Sequence, residues 1–172
     1  MKKVLKEIFG YIVSVLVALF IVNLVGYNFV LGESMLPTLN NHDILFANKI
    51  KPKLHDIKRG DIVVFNSSFK TNLGLKKKFV KRVIGISGDN IIIKDGEVYL
   101  NDTLLDEPYI NGDYTDGYIN ATVPENKVFV MGDNRGNSLD SRRPEVGFVN
   151  LSDINSVLPF RLYPFDNFGK VK

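Results

Sequence analysis

The 172 residues predict a mainly β protein, one antiparallel sandwich or partly open barrel, preceded by a single N-terminal transmembrane helix. Three observations predict it. An apolar stretch of 24 residues, Ile8 to Leu31, carries no charge. The helical period ends with it, and short runs rich in Val, Ile, Phe and Tyr, parted by turn residues, make up the rest.

The apolar stretch is bounded by Glu7 and Glu33. At about 1.5 Å per helical residue it covers the roughly 30 Å hydrocarbon core of a bilayer with some tilt to spare. A cleaved export signal fits less well, because its apolar region is shorter and no small-residue cleavage site follows here. Lys2, Lys3 and Lys6 precede the stretch, and no Lys or Arg lies between Glu33 and Asn48. By the positive-inside rule residues 1–7 are cytoplasmic, 8–31 span the plasma membrane once, and 32–172 are extracytoplasmic. Candidate strands follow at Ile44–Ala47, Asp61–Phe65, Phe79–Ile86, Ile91–Lys94, Glu97–Leu100 and Val128–Met131. Asp95-Gly96 joins two of them as a two-residue type I′ hairpin. Residues 102–126, with Pro108, Gly112, Gly117 and Pro124, read as an irregular insert.

Composition narrows the chemistry. There is no Cys, which removes disulfides, thiolate nucleophiles and thiolate metal sites, and two His alone do not build a metal centre. No metal or cofactor is expected. A net charge of +3 is too small to imply nucleic-acid binding. That charge is uneven, +8 over residues 1–90 and −5 over 91–172. The run Lys76-Lys77-Lys78 is therefore either a contact with anionic lipid or a solvated hairpin tip.

Four segments stand apart: Gly32-Glu-Ser34-Met-Leu-Pro37-Thr38, Gly60-Asp-Ile-Val-Val-Phe65, Lys81-Arg-Val-Ile-Gly-Ile-Ser-Gly-Asp89 and Gly132-Asp-Asn-Arg-Gly-Asn-Ser138-Leu-Asp140-Ser-Arg142. In this order, behind one apolar anchor, they resemble the bacterial type I signal peptidases in their compact Gram-positive-like form. Those are membrane-bound serine proteases that remove signal peptides from exported preproteins. The resemblance implies that Ser34 is the nucleophile and Lys81 the general base. Ser138 and Asp140 match the box that positions the lysine, and Asp133, Arg135 and Arg142 match positions that hold the box together. It further implies an Arg82–Asp133 pair, and a groove with pockets for small side chains one and three residues before the scissile bond. Gly32, Ser34, Met35 and Pro37 belong to the oxyanion and groove region. The partners implied are signal-peptide-bearing preproteins, the lipid bilayer and a nearby secretion translocon.

The chemistry of such a pair follows from first principles. A serine hydroxyl attacks a carbonyl usefully when a base within about 2.6–3.2 Å takes its proton. A lysine of ordinary pKa is only about 0.1 % neutral near pH 7.4, so its site must desolvate it or place positive charge beside it. Strand alternation puts Phe79, Lys81 and Val83 on one face and Val80, Arg82 and Ile84 on the other. A carboxylate touching Lys81 would oppose the required shift, so Ser138 is expected to contact Lys81 while Asp140 acts from behind. Where some family members carry a hydroxyl donor for the oxyanion, this chain has Gly32, which leaves the Ser34 N–H and a second donor not evident from the sequence. Met35, Leu36 and Leu39 fit the groove, the membrane interface or the core equally well. Two other functions fit less well: a self-cleaving repressor-type Ser/Lys protease, which needs a DNA-binding helical module where this chain has an apolar span, and a catalytically silent membrane-tethered β-domain, which has no reason to keep both Ser34 and Lys81.

Overall fold

The computed structural model describes residues 2–110 and 112–171, with the backbone alone for 2, 5, 19–23 and 25. Helix α1 runs Lys2–Leu24. Strands follow as β1 Val25–Phe29, β2 Ile44–Asn48, β3 Ile62–Lys70, β4 Lys76–Ile86, β5 Asn90–Lys94, β6 Glu97–Leu100, β7 Thr103–Leu104, β8 Ile119–Thr122, β9 Lys127–Met131, β10 Val149–Asn150, β11 Ile154–Tyr163 and β12 Gly169–Lys170.

All pairings are antiparallel. The larger sheet has the order β1-β2-β11-β3-β4-β9-β10, with β12 added on β11, and the smaller one the order β7-β6-β5-β8. Alternation along β3 and β9 buries both faces of the larger sheet. Val63, Phe65, Val128 and Val130 join Ile57 and Val157 on one side. Ile62 and Val64 pack with Met35, Leu39 and Leu45 on the other. Farther along the sheet, Ile84, Phe129 and Met131 meet Ile91, Ile93 and Val98 of the smaller sheet.

The type I′ hairpin is present: Lys94 opposes Glu97, and Asp95 and Gly96 both have positive φ, 52° and 87°. The helix is shifted toward the N-terminus from the expected 8–31, starting at Lys2. It stops at Leu24, because Val25–Phe29 pairs with β2 from Val25–Asn48 to Phe29–Ile44, and Gly26 and Asn28 favour helix weakly. Among the described residues no helix is long and apolar enough to cross a membrane. The side chains of 19–23, inside the expected span, lie outside those described. Strand β11, next to the sheet's centre, has no counterpart among the candidate strands. Pro159 sits in its middle, at a register shift between Val157 and Phe160, where a missing N–H leaves no ladder position unfilled. The insert is not wholly irregular either, since it supplies β7, a 3₁₀ turn at Pro108–Ile110, and β8.

Phe129 is 2 % exposed and meets Phe148 edge-on at 5.9 Å. Phe129→Ala is expected to cost about 3–5 kcal/mol in chemical denaturation, whereas Tyr118→Ala, at 77 % exposed, should stay within about 0.5 kcal/mol.

Candidate functional site

Lys81 lies on β4 opposite Val63 of β3 and is 4 % exposed. Its Nζ stands 2.5 Å from Ser34 Oγ, 3.0 Å from Val80 O and 5.5 Å from the centre of the Phe79 ring. Burial pushes its pKa from the ordinary 10.5 down to about 8, against the pull of Asp140 and Asp133 and with help from the Arg142 charge. A hydroxyl that close to an amine partly neutral at mild alkaline pH can pass its proton to it.

Ser34 sits in the loop between β1 and β2. The loop is held by Asn134, whose N–H donates to Ser34 O at 3.1 Å and whose Nδ2 donates to Glu33 O at 3.1 Å. Gly32 has φ +101°, a conformation in which a residue with a side chain is strained, and its N–H donates to Asn41 Oδ1 at 3.0 Å. A cleft of about 480 Å³ opens over the pair, walled by Asn28–Leu31 on one side and Lys77–Val80 on the other, with Asn137 and Leu139 at its rim. Toward the hairpin tip from Arg82, the edge of β4 that faces β9 has no strand partner among the described residues.

Carboxylates and guanidinium groups form the wall behind Lys81. Arg82, buried on the opposite face of β4, donates from Nε to Asp133 Oδ1 at 2.9 Å and from Nη2 to Asp133 Oδ2 at 2.7 Å, the pair expected from sequence. Asp140 is fully buried and accepts from the Gly132 N–H at 3.0 Å and from Arg142 Nε and Nη2 at 2.9 and 3.0 Å. Burial raises the Asp140 carboxyl, but Arg142, the Ser138 hydroxyl and the Gly132 N–H together hold it below the ordinary carboxylate range. Asp140 makes no salt bridge to Lys81 among the described residues. Gly132 has no room for a side chain: a Cβ there would stand 2.2 Å from Ser138 Oγ and 2.4 Å from Ser34 O.

Two expectations, on Ser138 and Pro37, need correction. Ser138 does not hydrogen-bond Lys81; its buried hydroxyl lies beside Asp140 without a well-aligned partner, because Lys81 Nζ is turned to Ser34 and Val80. Met35, at 2 % exposed, takes two of the places left open for it, packing in the core with Leu39 and Leu45 and lining the cleft. Pro37 lies off the cleft, lining a separate pocket of about 360 Å³ with Thr38, Tyr109 and Arg161. Sequence reasoning also missed the partners of two arginines. Arg135, 0 % exposed in its side chain, is held by Glu107 and Thr115, and Arg142 Nη1 reaches Asp116 Oδ1 at 2.5 Å. The excess of Arg over Asp in the 132–143 loop, beside an acidic insert, was the available signal.

At pH 7 the folded chain holds Lys81 as a desolvated ammonium. Its folded pKa, about 8, lies below the unfolded 10.5, so the unfolded state keeps the proton longer and stability rises with pH between these values. Lys81→Met is expected to raise unfolding free energy at pH 7 by about 1–3 kcal/mol, an advantage that shrinks toward pH 10 in denaturant titrations.

The family model described as signal peptidase, peptidase S26, matches residues 1–163. Signal peptidase I P of Bacillus subtilis subsp. natto is 38% identical, over 99% of this chain and 97% of its own length. Signal peptidase I S of Bacillus subtilis (strain 168) is 35% identical over 98% of this chain and 94% of its own length. Signal peptidase IB of Staphylococcus aureus (strain COL) is 33% identical over 95% and 93%. With a family model covering most of its length and relatives aligned nearly end to end, the chain belongs to the signal peptidase family, peptidase S26, and is a serine endopeptidase.

Proposed function

We propose that the chain cleaves signal peptides from exported preproteins, with Ser34 as nucleophile and neutral Lys81 as general base, while α1 tethers it to the membrane with residues 32–172 outside. The observation that carries this reading is the 2.5 Å approach of Ser34 Oγ to a lysine amine that burial has made a weaker base. Lys81 takes the hydroxyl proton as Ser34 attacks the scissile carbonyl, then returns it to the departing amine. The Ser34 N–H faces the developing oxyanion. Ser138 and Asp140, braced by Arg142, keep the wall behind the lysine in place, and the Arg82–Asp133 and Arg135 contacts hold that wall to the sheet.

A preprotein segment fits as an added strand in the cleft, because the free edge of β4 at Lys77–Val80 presents backbone groups that an extended chain can pair with. The tether rests on α1, whose Ile8, Phe9, Tyr11, Ile12, Val13, Val15, Leu16 and Val17 are all exposed. Eight apolar side chains exposed along the broad side of one helix suit lipid, not water. The exposed Tyr27, Phe29 and Leu31 and the lysines at 76–78 place an apolar and cationic rim beside the cleft, suited to the bilayer surface and to substrates leaving a translocon.

Incubation of the detergent-solubilised full chain with a preprotein tests the reading. Wild type should release a mature product, while Ser34→Ala and Lys81→Ala should each lose at least about 1,000-fold in kcat; cleavage by both variants at the wild-type rate would overturn it. Because the active form of Lys81 is the unprotonated one, kcat/KM should rise tenfold per pH unit below its pKa and level off above a midpoint near 8. A flat profile from pH 6 to 9 would exclude lysine as the base.

A further inference from the structure

We propose that Glu107, carried by the insert between β7 and β8, is a positioning residue for the Gly132–Arg142 loop and acts through Arg135; this rests on the Ser34–Lys81 reading. Glu107 is not among the residues that line the cleft, and its hydrogen bonds go to neither Ser34 nor Lys81. Its side chain is nonetheless only 7% exposed, and it accepts from Arg135 Nη1 at 2.9 Å and Nη2 at 2.6 Å. The same guanidinium also donates from Nη1 to Thr115 Oγ1 at 2.7 Å and from Nε to Gly132 O at 3.0 Å. Glu107 also accepts the Tyr109 hydroxyl at 2.8 Å, and the Tyr109 ring lies 4.0 Å from the Arg82 guanidinium that grips Asp133. One carboxylate thus reaches two buried arginines that end on the same loop.

The point of application is Gly132. Arg135 holds its carbonyl, Asp140 holds its N–H, and Ser34 O and Ser138 Oγ occupy the space where a Cβ would be. A shift of that residue moves the serine loop and the Ser138–Asp140 box together. Without the Glu107 carboxylate, Arg135 is a buried cation whose nearest remaining carboxylate influence is Asp133, inside the loop it should stabilise. Turning toward Asp133 would draw the loop off the geometry that presents Ser34 to Lys81, and displacements of that order cost rate steeply.

The test uses the full chain in detergent, with preprotein cleavage and acylation of Ser34 by a small activated ester as readouts, at a temperature where circular dichroism shows each variant folded. Glu107→Gln should lower kcat and the acylation rate about tenfold or more with KM within about twofold, and Glu107→Asp, which keeps the charge, should recover part of both. A folded Glu107→Gln with kcat within twofold of wild type, or Glu107→Asp as impaired as Glu107→Gln, would overturn the proposal. Should Glu107→Gln fail to fold, Thr115→Val removes one acceptor of Arg135 without changing any charge. It should lower kcat about threefold or more at constant KM, and an unchanged kcat would overturn the proposal. Wild type inert at Ser34 would overturn the Ser34–Lys81 reading and this inference with it, whereas a reactive wild type with an unaffected Glu107→Gln overturns this inference alone.

Discussion

Lys81 is an amine kept out of water, as the proposed proton acceptor must be, and its burial sets the terms for everything around it. The sheet supplies the dry surroundings: Val63 across the ladder, Phe79 two residues along the same face, and the core beneath. The penalty for holding an ammonium there is what lowers its proton affinity, so instability at this position and basicity are the same quantity seen from two sides. Two buried aspartates near such a lysine would undo the effect, since each favours the charged form.

The arginines resolve that conflict. Asp133 faces Arg82 and Asp140 faces Arg142, in each case through two hydrogen bonds from a planar guanidinium whose charge offsets the carboxylate. The aspartates can then act as acceptors for backbone, such as the Gly132 N–H, without capturing the lysine. Each arginine also joins segments distant in sequence. Arg82 ties β4 to the loop after β9, and Arg135 and Arg142 tie that loop to the insert. Because breaking a buried pair typically costs about 3–5 kcal/mol, the fold and the alignment of Ser34 with Lys81 depend on the same contacts.

The strands whose alternation or turn chemistry is local were legible in the sequence: β5 and β6 around Asp95-Gly96, and β4 and β9 with their apolar cores. Strand β11 was not, since Pro159 and three register shifts break its period, and its place in the sheet comes from partners about 100 residues away. At the site, Ser34, Lys81 and the Arg82–Asp133 pair could be named because each belongs to a compact motif. Glu107, Thr115 and Asp116 could not, because an acidic or hydroxyl residue in a loop resembles a solvated one until the arginine it serves is buried beside it. Gly32 could be read only as a missing hydroxyl; its positive φ shows that the backbone itself favours glycine there.

Helix α1 passes directly into β1 at Leu24 and Val25, and β1 is at once laddered to β2. A joint with no spare residue has no slack to absorb tilt or vertical displacement. Wherever the helix is anchored, its inclination is delivered to the outer edge of the larger sheet, and with it to the Asn28–Leu31 wall of the cleft. On the proposed function, with α1 as tether and Ser34 as nucleophile, the depth at which a peptide bond meets Ser34 is measured from the helix end, like a mark on a fixed rule, so lengthening the junction by a few flexible residues would blur where the chain cuts more than how fast.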